Sequence, residues 1–210
     1  MSSPSRPPPA PVAPPPTSRV LLLARHGETS WNLEQRWQGQ TDIGLNANGR
    51  AQAQALAERL VGRGIAHIVA SDLSRARDTA EIVARRIGIA DVAIDPDLRE
   101  RGYGVFEGLT GGECERQQPD DWARYLADRT HTPARGEHRD LVVARMRIAV
   151  ARAAARAADD GQVVLVVGHG GSIRALIQAD TGTRPPPMDN GAAFRAVLTP
   201  QGLRDAEPFA

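Results

Sequence analysis

Val20-Leu21-Leu22-Leu23-Ala24-Arg25-His26-Gly27 and Val163-Val164-Leu165-Val166-Val167-Gly168-His169-Gly170 share one form: a short aliphatic run, a histidine where the run ends, then a glycine. A continuous apolar run of this length, bounded by turn residues, reads as a strand buried on both faces, the kind found in parallel sheets covered by helices. Both imidazoles then belong at strand ends. In an open parallel sheet, ligands bind in the crevice beyond the carboxyl ends of the strands, so two histidines far apart in sequence can meet there. Taken singly, each has the alternative of being satisfied by a backbone carbonyl at its strand end.

The intervening chain alternates between strand and helix signals. Asn46 can cap a helix carrying Ala53, Leu56, Ala57 and Leu60 at helical spacing. Ile65 to Ala70 reads as a second strand. Ser71 and Asp72 then open a helix with Leu73, Ala76, Ala80, Val83, Ala84 and Ile87 on its buried stripe and Arg75 and Arg77 off it. Asp91 to Ile94 supply a third short strand, and Leu98 to Gly112 is too rich in glycine for a long regular element. Residues 119 to 129 read as a weak helix and 138 to 158 as a strong one. The second histidine strand follows, then a helix from Gly171 to Ala179 and a final strand from Ala192 to Leu198. This alternation predicts an α/β fold, a three-layer αβα sandwich with a mainly parallel sheet flanked by helices.

With 210 residues, the chain is long enough for one well-filled core. Residues 1 to 18, mostly Pro, Ser and Ala, read as a disordered arm, leaving a single domain over 19 to 210. The charge balance is nearly even, 26 basic against 25 acidic side chains, so no nucleic-acid footprint is expected and any positive field must be local. The single cysteine, Cys114, excludes an internal disulfide and fits a reducing compartment. No secretory signal or membrane span is expected, which makes the cytoplasm the default location. The alanine-rich stretch from Ala149 to Ala158 can pack inward or against a copy of itself in a homodimer, with inward packing the default.

Four blocks, in order, resemble the histidine phosphatase superfamily, which includes the cofactor-dependent phosphoglycerate mutases. The first is Arg25-His26-Gly27-Glu28-Thr29 with Trp31-Asn32, Gln38-Gly39, Asp42, Leu45, Gly49 and Gln52-Ala53. Ser71-Asp72-Leu73-Ser74-Arg75-Ala76-Arg77-Asp78-Thr79-Ala80 resembles the second-arginine block of that family. Leu98-Arg99-Glu100 with Gly104 and Phe106-Glu107-Gly108 resembles its general-acid block, and Gly168-His169-Gly170-Gly171-Ser172-Ile173-Arg174 its second-histidine block. The resemblance spans about residues 19 to 198 and implies a phosphoglycerate mutase-like fold.

The chemistry of these residues fits what the resemblance implies. Phosphoryl transfer needs an in-line nucleophile, donors for the transferring oxygens and a proton for the leaving alkoxide. His26 would be the nucleophile, kept neutral by Arg25 and Arg75 nearby. Those two arginines would clamp phosphate with planar donor forks, and His169 would complete the clamp. Glu100 would protonate the departing alcohol and then activate water, a role that requires a protonated carboxyl in the first step. By the same resemblance, Asn32 and Gln38 would lie close to the phosphoryl group. Gly27, Gly39 and Gly170 would let backbone approach the ligand.

Mutases of the family carry a lysine after the glutamate block and a long arginine-bearing insertion. Here the stretch reads Gly108-Leu109-Thr110-Gly111-Gly112-Glu113, with glycine in place of that lysine, and the next segment is short. Gly136-Glu137 is similar to the Pro-Gly-Gly-Glu-Ser segment of the phosphatase branch, with His138 where serine is usual. The resemblance thus implies a phosphatase acting on a small-molecule phosphoester. The alternatives are a phosphoglycerate mutase, which would need a bisphosphorylated primer, and a non-catalytic phospholigand-binding module, which would need neither nucleophile nor acid. A small cap over about residues 105 to 136, holding Arg116, Arg124, Arg129, Arg135, Glu113 and Trp122, is expected near the leaving group. His131 and His138 lack an acidic partner at ligand spacing, so no metal is expected, and no cofactor.

Overall fold

A computed structural model describes residues 18–159 and 161–210. The reading of an N-terminal arm falls, apart from Ser18, outside the described residues. In chain order the elements are β1 (Arg19–Arg25), α1 (Ser30–Leu33), α2 (Ala47–Leu60), β2 (Ile65–Ala70), α3 (Ser74–Ile87), β3 (Val92–Ile94), α4 (Gly111–Gln117), α5 (Pro119–Ala127), α6 (Arg139–Ala154), β4 (Val163–Gly168), α7 (Gly170–Thr181), β5 (Ala193–Thr199) and β6 (Gly202–Phe209). The strands form one sheet in the order β3-β2-β4-β1-β5-β6. The first four in that order run parallel, β5 runs antiparallel to β1, and β6 runs antiparallel to β5.

The two histidine strands are central neighbours, and their aliphatic runs are buried on both faces because helices cover both. Alternate residues point to opposite faces. Leu21, Leu23, Val164 and Val166 share one core cluster with Val142, Met146 and Val150 of α6 and Ile173 and Leu176 of α7. Leu22, Ala24, Leu165 and Val167 share the other with Leu56 and Leu60 of α2 and Ala76, Ala80 and Val83 of α3. This is the expected three-layer αβα sandwich. Ala149, Ala153, Ala154 and Ala157 lie within the first cluster, so the alanine-rich stretch packs inward. Among the described residues no helix is long and apolar enough to cross a membrane.

Helix ends follow capping chemistry. The side chain of Asn46 accepts from Gly49 N at 2.7 Å, as expected for α2. The α3 helix starts later than expected because Ser71 and Asp72 are engaged elsewhere. Ser71 contacts His169, and Asp72 pairs with Arg99. Asp42, from a distant loop, caps α3 instead by accepting from Ser74 N at 2.8 Å and from Ser74 Oγ at 2.7 Å. His138 caps α6, its Nδ1 accepting from Asp140 N at 3.3 Å, so imidazole fills the capping role that serine would serve.

Three elements escape the periodicity: the four-residue α1, α4 and β6. The α4 helix begins with two glycines, yet Thr110 and Glu113 form a reciprocal capping box, which is the readable signal. The β6 strand carries Arg204, Asp205, Glu207 and Pro208 and lies at the sheet edge, where charge and proline are tolerated. The segment read as a cap, residues 105 to 136, contributes Phe106, Trp122 and Tyr125 to an aromatic cluster that, with Trp37, packs around Cys114.

Just beyond β1 the chain is interlocked with the start of α2. A Cβ on Gly27 would strike the carbonyl of Gly49, and one on Gly49 would strike the carbonyl of Glu28. Neither contact can be relieved by rotating a side chain. Gly27→Ala is therefore expected to lower unfolding free energy by about 3 kcal/mol, measured by urea denaturation. A loss below about 0.5 kcal/mol would show that the two segments are free to separate.

Candidate active site

Strand register creates the site. Arg25 of β1 lies opposite Gly168 of β4, so the next residue on each strand is a histidine. Parallel neighbours lie about 4.8 Å apart, and the rings of His26 and His169 have their centroids 5.2 Å apart at 60°. The carbonyl of Gly27 accepts from His26 Nδ1 at 2.7 Å. A carbonyl has no proton to offer, so Nδ1 holds the hydrogen and Nε2 keeps its lone pair. His169 Nε2 lies 3.0 Å from Ser71 Oγ, and its buried Nδ1 makes no hydrogen bond.

Two arginines flank the pair. Arg75 is fully buried, with Nη1 donating to Thr41 O and Nη2 to Gly39 O, each at 2.8 Å, while its Nε has no acceptor. Burial lowers its pKa to about 10, against the opposing pull of the carboxylates of Glu100, Asp42 and Glu107. It therefore stays cationic at neutral pH. Arg25 donates through Nη1 to Met188 O at 2.6 Å, and burial lowers its pKa as well, opposed by Glu100 and Asp189. Burial, then the cations of Arg75 and Arg25, hold His26 well below the ordinary imidazole value of 6.5. His169 is lowered in the same sense by burial, Arg75 and His26.

Glu100 and His26 line one cavity of about 340 Å³ together with Arg25, Asn32, Gln38, Gly39, Arg75 and Gly170, and His169 is buried beside His26. The Glu100 carboxylate accepts from Arg101 N and from Gly171 N, both at 2.8 Å. A side chain on Gly171 would come within 2.6 Å of Glu100 Oε1. Asn32 is held by its own helix start, Oδ1 accepting from Thr29 N at 3.1 Å. The amide of Gln38 is 9% exposed and leaves Oε1 without a partner. The structure thus brings together His26, His169, Arg25, Arg75, Glu100, Asn32, Gln38, Gly39 and Gly170. The cluster offers a neutral nucleophilic nitrogen, buried cations with unspent donors and a carboxyl group.

A match to the histidine phosphatase superfamily (branch 1) runs over residues 21–204. The chain belongs to that superfamily. It is 40% identical over 161 residues to phosphoglycerate mutase-like protein 4 of Arabidopsis thaliana, covering 75% of this chain and 69% of that protein. Among solved structures it is similar to mycobacterial glucosyl-3-phosphoglycerate phosphatase complexed with VO3. The TM-score is 0.80 at 34% identity, over 91% of this chain and 98% of that one. The alpha-ribazole phosphatase of Shigella flexneri superposes with a TM-score of 0.76 at 27% identity, over 88% of this chain and 94% of that one.

Against this histidine phosphatase fold, several expectations need correction. Arg75 does not lie off the buried stripe of α3: it is 0% exposed, whereas Arg77 is at the surface. Its fork is half spent on loop carbonyls, so it is also a strut for the Gly39–Thr41 loop. The glycines make room for protein atoms. A Cβ on Gly39 would strike the Glu107 side chain, and one on Gly170 would press on Arg25 Cδ at 3.1 Å. Of the cap residues named, Glu113 pairs with Arg36 and Trp122 joins the aromatic cluster. Arg116 and Arg124 are exposed, and Arg135 lines an outer recess. His131 does have an acidic partner, Asp121, at 3.0 Å, and that pair fastens a loop.

Three residues in or behind the site were given no role in the sequence: Arg174 and Glu137 were quoted only within family blocks, and Arg145 was not named. Arg174 lines the cavity. Its signal was its place four residues after Gly170 in α7, hence on the same helix face. Glu137 and Arg145 act behind the site. Arg145 donates to the carbonyls of Asp97, Arg99 and Glu100 and to the Glu137 carboxylate at 2.7 and 2.9 Å, fixing the loop that carries Glu100.

The depressed imidazoles set a pH dependence of stability. As pH falls through 6.5 the unfolded chain takes up protons that folded His26 and His169 refuse, so stability falls with pH. The slope is up to about 1.4 kcal/mol per pH unit for each histidine. Urea unfolding between pH 7.5 and 5, above the range of the lowered carboxylates, should show this loss, and His26→Asn/His169→Asn should remove it. A wild-type curve no steeper than that of the double variant would mean that both rings protonate in the fold.

Proposed function

We propose that this histidine phosphatase superfamily member is a phosphomonoesterase working through a phosphohistidine on His26. The observation that carries the reading is the set of unspent groups gathered beside His26. Arg75 Nε and His169 Nδ1 are buried without an acceptor, and buried donors are rarely left unpaired. A phosphoryl group would satisfy both beside the lone pair of His26 Nε2. Ser71 Oγ accepts from Leu73 N at 3.3 Å, which frees its own proton for His169 Nε2 and leaves the proton of that ring on Nδ1.

In this reading His26 Nε2 attacks phosphorus in line and forms an N–P bond as the ester P–O bond breaks. Arg25, Arg75 and His169 stabilise the equatorial oxygens, with Asn32 and Gln38 alongside. Glu100 gives its proton to the leaving oxygen. It then takes a proton from water as that water attacks phosphorus and frees His26, so phosphate leaves and Glu100 ends protonated. The same site could instead return the phosphoryl group to a second alcohol, as a mutase does. The glycines where a lysine was expected, and the short cap, favour water.

Phosphate release from a panel of metabolite phosphoesters in chelator tests this. His26→Ala should abolish release, and Glu100→Gln should cut it by about a hundredfold or more on substrates with poor leaving groups. Wild type quenched in base should carry a phosphoryl group lost in acid. Efficient exchange between 2- and 3-phosphoglycerate with no release would favour the mutase. Phosphoester binding that survives His26→Ala with no turnover in wild type would favour a binding module.

A further inference from the structure

Several arginines are spent on carboxylates: Arg36 on Glu34 and Glu113, Arg86 on Glu58, Arg99 on Asp72, Arg147 on Asp180, Arg152 on Asp95 and Asp97. A second cavity, about 220 Å³, reverses this pattern. Arg101, Arg129, Arg139, Arg174 and Arg184 line it, with no acidic residue. Among the described residues none of the five pairs with a carboxylate.

Their contacts show which cations are free to meet a ligand. Arg101 is saturated, donating to carbonyls of Arg129, Thr130, His131 and Glu137. Arg129 lies over the Tyr125 ring, 4.9 Å from its centroid. Arg139 gives one hydrogen bond to Gln178, and Arg174 shares Pro185 O between two nitrogens. Arg184 is exposed. Arg174 and Arg184 are close enough that, after burial, the Arg184 cation is the next cause lowering the pKa of Arg174. Cations gathered without counterions repel one another, and a bound anion would offset that repulsion.

The position of this second cavity is as informative as its charge. It shares Tyr103, Gly171 and Arg174 with the catalytic cavity. The two backbone groups that hold the Glu100 carboxylate, Arg101 N and Gly171 N, belong to residues lining it. It therefore opens beside Glu100, on the side to which a leaving group would depart. Tyr103, Tyr125, Val142 and Ala175 give it an apolar wall suited to a short carbon skeleton.

We infer that this cavity seats a second anionic group of the substrate, so that the substrate class is an acidic phosphomonoester whose leaving group carries a carboxylate or a further phosphate. The inference rests on the phosphomonoesterase reading. Arg139, Arg174 and Arg184 hold the distal anion while His26 faces the phosphoryl group to be transferred. The seat is a specificity device, because a neutral alcohol in the same place leaves its cations unpaired.

The test uses phosphooxy-alkanoic acids of graded chain length, their carboxamides and the matching alkane bisphosphates. Binding is measured by calorimetry on the His26→Ala chain, with turnover by wild type followed in parallel. At the chain length that spans the two cavities, the acid or the bisphosphate should bind about ten- to a hundredfold tighter than the amide. Which of the two binds tighter assigns the distal group. In Arg139→Gln/Arg184→Gln on the same background the acid-to-amide ratio should fall toward one, while Arg139→Lys/Arg184→Lys keeps most of it. Equal binding of all three probe types at every length, or a preference that survives the Gln pair, overturns the seat. Failure of the phosphatase reading shows separately, as no His26-dependent phosphate release from any probe, because the binding measurement needs no turnover.

Discussion

The rest of the molecule depends on one pairing, Arg25 opposite Gly168 at the carboxyl ends of two parallel strands. A slip of one residue would turn the aliphatic alternation of one strand to the wrong faces and move its histidine away from the other. Because both faces of both strands are buried, the register is strongly specified by packing. Leu21 and Leu23 belong to the α6 and α7 side, Leu22 and Ala24 to the α2 and α3 side. The distance between the imidazoles is thus a by-product of core packing, and the site inherits the rigidity of the sheet centre.

Bringing two histidines together there is useful only with the cations beside them, and these are expensive to bury. Arg75, at 0% exposure, is stabilised by the carbonyls of Gly39 and Thr41 and by carboxylates at longer range. Removing a guanidinium from water without full compensation costs several kcal/mol. That cost, together with imidazoles held neutral and donors left unpaired, makes this the place where the fold gives up stability, as functional sites commonly do. The surroundings hold the unfavourable arrangement in place: Asp42 ties the Thr41 loop to the start of α3, and Glu107 ties the same loop to the segment after Glu100. Glu137 and Arg145 hold Glu100 from behind.

Much of this was legible. The strands β1 to β5, the helices α2, α3, α6 and α7 and the meeting of His26 with His169 follow from periodicity and from the behaviour of open parallel sheets. Arg75 and Glu100 carry no local sign of their place at the site, and only the order of four blocks singled them out. Arg75 was even misplaced, because helical periodicity treats charge as a mark of the solvent face, whereas here the loop from Gly39 to Thr41 folds over that face and buries it. The α4 helix hid behind two glycines although its capping box was readable, and β6 hid because an edge strand need not be apolar.

The amino-acid sequence by itself determined which groups stand at the strand ends, since burial on both faces demands a continuous aliphatic run and the first polar residue must follow it. Only the tertiary structure decided which face each guanidinium meets, which glycines yield to neighbouring backbone, and that five arginines from α6, α7 and the loops around the cap surround one cavity. Those outcomes depend on contacts between residues far apart along the chain. No local pattern encodes them, because a long charged side chain can reach either water or a ligand from the same position on a helix.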